Sequence, residues 1–266
     1  SVRITVLGKS PAWQDAGGAC SGYLVEHEGT RVLLDCGNGV FAKLRSFVDY
    51  VDVDGVVISH IHADHCLDLI PYAYALTYAP RQQPVPVGGH PGTNRPARPT
   101  LHLPPEGTAT VRTLGNLWGN ERLVEDAFRA EEFDPDKTIS VGSLRMRFRE
   151  VPHYVPTYAI DVRPVGGEGP RLVYSADCSP NDALVEFAKD ADLLLIESTL
   201  PRPERSGVRG HLTCEEAGDH GRRAGARRLV LTHISDELDI DDAAEGAAEM
   251  FGAPVEVAQE GLVLEV

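Results

Sequence analysis

The sequence predicts two β-sheets packed face to face with helices on the outside. Three observations carry that expectation. Strand-like apolar runs fall into two groups, one in the first third of the chain and one from Thr138 onward. Helix-like segments follow each group. The 266 residues are 42% hydrophobic and 24% charged, a balance that buries a sizeable core and excludes disorder, collagen and coiled coil. No sequence repeat or low-complexity segment interrupts them, and one domain spanning residues 1–266 is expected.

The elements follow in order. A strand starts at once in Ser1 to Gly8. Ser21–Val25 and Thr30–Leu34 flank His27-Glu28-Gly29, a hairpin signal. Asp35-Cys36-Gly37-Asn38-Gly39 breaks the pattern before a short helix at Val40–Phe47. Val56-Val57-Ile58 reads as a buried strand, and Leu67–Ala79 as an apolar helix stopped by Pro80. Pro80 to Pro105 reads as a long surface loop with one strand at Leu101–Leu103. Glu121–Phe133 is expected to be helical.

Strands are then expected at Thr138–Val141, Leu144–Val151, Tyr158–Val162, Leu172–Ser175 and Leu193–Ile196. Thr213, with Glu216 three residues on, is a capping-box signature for a helix that Gly225 closes. A strand at Leu229–Leu231, a helix at Asp241–Phe251 and a closing pair, Val255–Val257 with Leu262–Val266, complete the chain.

Charge narrows the function. Lys+Arg 25 against Asp+Glu 40 gives a formal charge of −15. A long nucleic acid is disfavoured, since such partners need a basic face. The one short basic cluster, Arg222, Arg223, Arg227 and Arg228, reads as a solvated helix end. No apolar stretch approaches the roughly 18 residues of a membrane helix, so no membrane partner is expected. Five cysteines without framework spacing suit a reducing compartment, and the start lacks signal-peptide features, so a cytoplasmic location is expected.

The chemistry concentrates in Ser59-His60-Ile61-His62-Ala63-Asp64-His65, directly after a buried strand. In an extended segment His60 and His62 point to one side. A turn into the following helix lets Asp64 and His65 face a second point nearby, so the spacing suits two adjacent cations. Two cations need about seven ligands. His153, Asp177 and His233 each stand just beyond another apolar strand, where sheet-built sites gather.

In these residues the chain resembles the metallo-β-lactamase superfamily of binuclear hydrolases, over nearly its whole length. His60-x-His62-x-Asp64-His65 is similar to the family signature, and Leu34-Asp35-Cys36-Gly37 to its early turn. The resemblance implies an αββα sandwich of two mixed sheets with the metals at one edge. It assigns His60, His62 and His153 to the first metal and Asp64, His65 and His233 to the second, with Asp177 bridging. Within the superfamily the chain resembles the ribonuclease Z and cyclic-nucleotide phosphodiesterase branch. Pro152-His153, Ser175-Ala176-Asp177, Glu197-Ser198-Thr199, Gly210-His211-Leu212-Thr213 and Leu231-Thr232-His233 carry that likeness. It implies a pair, Glu197 and His211, near the phosphate, His211 serving the leaving oxygen.

The expected activity is hydrolysis of small phosphodiesters, cyclic nucleotides among them, by a hydroxide shared between two cations and oriented by Asp64. Zinc is the first choice of metal, with manganese or iron accepted by the same ligands. Only 24 positions separate His153 from Asp177, too few for the long tRNA-binding arm of ribonuclease Z. The alternatives are a permissive esterase on the same metals (phosphotriesterase, lactonase or β-lactamase), an RNA-processing nuclease, and a non-catalytic binding module. Dimerisation follows from the resemblance alone. Cys178, adjacent to Asp177, is set aside because neighbours on an extended chain point opposite ways. His27, His90 and His102 read as surface groups and His220 as structural. Trp118 and the Tyr72, Tyr74 and Tyr78 set read as core or interface residues that could line a pocket.

Overall fold

A computed structural model describes the whole chain, Ser1–Val266. Two seven-stranded sheets form its centre. The first contains β1 (Arg3–Gly8), β2 (Gly22–His27), β3 (Thr30–Leu34), β4 (Gly55–Val57), β5 (Thr100–Leu103), β6 (Arg129–Glu132) and the last strand, β14 (Val263–Glu265). Their order is β14-β1-β2-β3-β4-β5-β6. The second contains β7 (Ile139–Val141), β8 (Leu144–Val151), β9 (Thr157–Pro164), β10 (Leu172–Tyr174), β11 (Leu193–Glu197), β12 (Leu229–Thr232) and β13 (Glu256–Val257), in the order β13-β12-β11-β10-β9-β8-β7. Each sheet is mixed: β3 to β6 and β10 to β13 run parallel, and the other pairs antiparallel.

Alternation along the strands explains the layers. On β1, Ile4 and Val6 face inward to meet Tyr23, Leu34, Ile160, Leu172 and Leu195 in the core between the sheets. The opposite face of the first sheet packs on α1 (Val40–Arg45), α3 (Leu69–Tyr78) and α5 (Leu123–Ala127). That of the second packs on α6 (Asp182–Phe187), α7 (Cys214–Ala224) and α8 (Ile240–Phe251). The result is the expected αββα sandwich.

Four details differ from the sequence expectation. The helix expected over Leu67–Ala79 is present as α3, but a separate short helix that was not expected, α2 (Ala63–Cys66), precedes it and carries Asp64 and His65. Glu121–Phe133 is helical only over α5; Phe128 turns extended, and the chain adds to the sheet edge as β6 beside β5. The two closing strands do not pair with each other. β13 joins β12, whereas β14 returns to β1, tying the C-terminus to the first sheet. Finally, α4 (Gly107–Asn116) occupies a stretch to which no element was assigned, and only Gly107, Val111 and Gly115 of it are buried.

Candidate metal centre

Parallel strands place their C-terminal ends on one edge of the sandwich, and the candidate residues stand there. β3 ends at Asp35, β4 leads to His60, β8 to His153, β10 to Asp177, β11 to Glu197 and β12 to His233. Three of the six non-glycine residues with positive φ are in these turns: Asp35, Ala176 and His233, at 60°, 53° and 53°. A left-handed backbone is costly for residues with a Cβ and persists where the surroundings enforce it, a pattern typical of functional sites. Here it turns the chain sharply, so that the last side chain of each strand points across the edge.

The seven residues named as ligands from the sequence converge. Asp177 Oδ2 lies 3.1 Å from His65 Nε2, 3.3 Å from His233 Nε2, 3.6 Å from His60 Nε2 and 3.7 Å from His153 Nε2. His62 Nδ1 faces His153 Nε2 at 3.1 Å, and Asp64 Oδ2 faces His233 Nε2 at 3.1 Å. They form two groups with Asp177 in common: His60, His62 and His153 on one side, and Asp64, His65 and His233 on the other. Within each group the nearest donor atoms lie within 4.8 Å of one another.

A divalent cation fits each group. Buried polar atoms almost always have a partner, yet His60 Nε2 and Asp177 Oδ1 have none. His60 Nε2 faces Asp177 Oδ2 at 3.6 Å, and nitrogen with carboxylate oxygen is a donor set that first-row divalent ions accept. Protonation agrees for the first group. Burial pushes His60 down to about 4 and His153 down to about 3, so both rings are neutral and offer lone pairs. Burial also opposes charge on His65, but the carboxylates of Asp177 and Asp35 outweigh it and hold the ring well above its ordinary value. A cation among these carboxylates takes the place of that proton.

Four of the five candidate ligand rings, all but His62, are oriented from behind. The carboxylate of Asp35 receives His65 Nδ1–H at 2.7 Å, the Ser59 N–H at 2.7 Å, the Ser59 hydroxyl at 2.8 Å and the Tyr174 hydroxyl at 2.7 Å. His60 Nδ1 meets Ser59 Oγ at 2.9 Å. His153 Nδ1–H donates to the Gly210 carbonyl at 2.7 Å, leaving Nε2 free to ligate. Thr199 Oγ1 stands 2.7 Å from His233 Nδ1 and donates to Glu197 Oε2 at 2.8 Å. The supporting roles of Asp35, Ser59 and Thr199 escaped the sequence reading. Their signal was present as the residues flanking the motifs, Leu34-Asp35-Cys36 and Glu197-Ser198-Thr199.

Glu197 and His211 also form the expected pair. His211 Nδ1–H donates to Glu197 Oε1 at 2.8 Å, and Glu197 is fixed in turn by the backbone N–H groups of Cys178, Thr199 and Leu212. Burial disfavours a charged His211, but the bond to Glu197 and its charge prevail and raise the imidazole to about 9. Its ring stacks on His233 at 5.5 Å and lies 5.1 Å from His153. The result is an N–H donor, favoured in its charged form, beside the candidate ligand cluster.

The other candidates sort themselves out. Cys178 is buried in the helix-side core, and His220 is structural, bonding the Glu216 carbonyl and the Asn181 N–H. His102 is not at the surface but 5% exposed on β5, and His27 is partly buried against Ser143. Tyr72 is core, whereas Tyr74 and Tyr78 stack on each other in the open, and Trp118 is exposed at the end of α4. Arg222, Arg223, Arg227 and Arg228 are paired to Asp219, Asp182, Asp192 and Glu256, as a solvated helix end should be. They are not the only basic grouping. Arg145, Arg147 and Arg149 alternate along β8 with Arg163 and Arg171 beside them, and Asp161 bonds three of the five. Adjacent positions of one sign are invisible in a charge count when the residues alternate with apolar ones.

The chain belongs to the metallo-β-lactamase superfamily, since residues 30–234 match the family model described as the β-lactamase superfamily domain. It is a hydrolase of that fold, with His/Asp clusters that could bind the divalent metals the family implies. The chain is 34% identical over 303 aligned positions to a ribonuclease Z of Myxococcus xanthus, covering 100% of this chain and 98% of the relative. It is 29% identical to the probable metallo-hydrolase YhfI of Bacillus subtilis, covering 99% of this chain and 100% of the relative. The YhfI crystal structure superposes with a TM-score of 0.83 at 26% identity, over 100% of both chains. The short form of human tRNase Z shares the fold, with a TM-score of 0.73 at 20% identity over 99% of this chain and 98% of that one. No helix is long and apolar enough to cross a membrane.

Proposed function

We propose that the protein hydrolyses small phosphodiesters at a binuclear site. His60, His62 and His153 would hold one ion, Asp64, His65 and His233 the other, and Asp177 both. Two such ions, zinc in the first instance, would supply Lewis acidity and a water acidified toward neutral pH. The chain's own residues do the rest. Asp35, Ser59 and Thr199 hold the imidazoles at fixed angles, so little reorganisation is needed during reaction. Asp64 both ligates and orients the nucleophile. His211 delivers the proton that Glu197 keeps on it to the leaving oxygen.

The observation that carries this reading is His211, bonded to Glu197 at 2.8 Å and set beside His153 and His233, where a carboxylate favours its protonated form. A phosphodiester is an anion with two non-bridging oxygens, and its leaving alkoxide needs a proton. A lactone or β-lactam is neutral and gains less from a fixed cation there. The five cysteines are free and buried, which suits the cytoplasmic location we propose.

Processing of RNA is a second reading, favoured by the ribonuclease Z relative and by the arginines of β8 and β9. Against it, β9, β10 and the short connections around them account for all the residues between His153 and Asp177, which leaves no arm. The 303 aligned positions also exceed this chain's 266 residues, so the relative carries at least 37 positions without a counterpart here.

The test compares bis(p-nitrophenyl) phosphate with a lactone, a β-lactam and a phosphotriester, using chelator-treated protein reloaded with zinc or manganese. Metal-dependent turnover dominated by the diester is expected. Dominance of a neutral ester would move the substrate class while keeping the metal site. Cleavage of precursor RNA, with binding that weakens steeply with salt, would establish the second reading.

A further inference from the structure

Tyr154 directly follows His153, yet its surroundings differ from those of every other large ring. It is 52% exposed. Trp13, Tyr78 and Trp118 are as open to solvent, but Tyr154 is the exposed ring that meets the site histidines. Its centroid is 4.9 Å from that of His153 and 6.0 Å from that of His211, the second contact near edge-on at 67°.

The ring is also held in place. A Cβ built on Gly210 would fall within the Tyr154 ring, so the backbone just before His211 closes down on one side of it. On another side the phenol faces the Glu204 carboxylate. Glu204 in turn accepts the N–H groups of Gly210 and His211 at 2.9 and 3.1 Å and pairs with Arg209. The platform and the acid therefore share one support.

A rigid, half-exposed ring beside a phosphate site offers its free surface to whatever the phosphate carries. Aromatic stacking is favourable for any base and needs no hydrogen-bond code. We infer that Tyr154 is a stacking platform that selects phosphoesters bearing an aromatic group, nucleotides above all, over those bearing only sugar or alkyl groups. The inference rests on the phosphodiesterase reading, because it needs a phosphate seated beside His211. With the phosphate there, a nucleobase one ribose away reaches the neighbouring ring.

Binding, which is independent of turnover, tests it. AMP and ribose 5-phosphate differ by the base alone, and each is titrated calorimetrically into the zinc-loaded protein. The native protein should prefer AMP by roughly 5- to 100-fold. Tyr154→Phe should keep that preference. Tyr154→Ala should abolish it while leaving the affinity for ribose 5-phosphate within about twofold, which a misfolded variant would not do. An AMP preference that survives in Tyr154→Ala, or none in the native protein, would overturn the inference while the phosphate reading stands. If neither ligand binds and the diester is not hydrolysed, the parent reading has failed and this one with it.

Discussion

His211 is a partly buried imidazole, and the Glu197 carboxylate facing it at 2.8 Å favours its charged form. An acid raised to about 9 is fully protonated at neutral pH and loses its proton as pH rises through that value. The pH profile of kcat/KM on a 2′,3′-cyclic nucleotide, whose leaving alkoxide needs a proton, should therefore fall on an alkaline limb near 9. Glu197→Gln removes the charge but keeps the shape, and the limb should move toward the ordinary 6.5 of histidine. An unmoved limb would assign it to another group. His211→Ala should retain its metal and lose turnover by about 10²- to 10⁴-fold. Asp64→Ala, by contrast, should lose metal and activity together, as measured by elemental analysis beside the assay.

At the scale of elements, the unit that carries His211 is the segment leading into α7. Thr213 caps the helix and Glu216 completes the box, the same Glu216 that pairs with Arg209 just before Gly210. Thr213→Ala should cost about 1 kcal/mol in urea unfolding, the usual worth of such a cap. Loss below a few tenths of that would mean that packing on α8 holds the helix without it. This element was legible because its signals are local: a cap, an acidic first turn and a closing glycine. The metal motif was legible for the same reason, being seven consecutive residues. What was lost depended on partners far along the chain. Leu123, Val124, Ala127 and Phe128 have helical spacing, but the free edge of β5 draws the chain into a strand after Phe128. The glycines and threonines of α4 are poor helix formers, and no local rule reveals them. β14 looks like a partner for β13 until the edge of β1 is known to be open. Asp35 reads as a turn residue until β4 brings Ser59 and His65 around it.

For the whole molecule, the two sheets meet at the site. His60, His62, Asp64 and His65 come from the first, and His153, Asp177 and His233 from the second. Bound ions would therefore staple the layers, as Tyr174 does by donating to Asp35 across the interface. Stripping the metals should lower Tm by about 5 to 10 °C at ion concentrations near 100 times Kd, restored by reloading. An unchanged Tm would mean that the folded state binds no ion more tightly than the unfolded chain does.

Acid stability has a separate source. Asp161 is fully buried in the second sheet, and Arg147, Arg163 and Arg171 overcome its burial to hold the carboxyl below its ordinary value. Its stabilisation is present above the unfolded carboxyl value and is lost as pH falls through the lower folded one. Asp161→Asn should cost on the order of 2 to 3 kcal/mol at neutral pH, since Arg147 still reaches solvent, and progressively less toward acid. A loss independent of pH would contradict this assignment.

That two ions and one histidine acid make a phosphodiesterase is tested by titrating chelator-treated protein with zinc or manganese while following hydrolysis of a 2′,3′-cyclic nucleotide, whose leaving alkoxide needs a proton, for the native chain and for His211→Ala. Both should rise to a plateau at two ions per chain, with the variant's plateau lower by about 10² or more. A plateau at one ion, or a variant equal to the native chain, would contradict it.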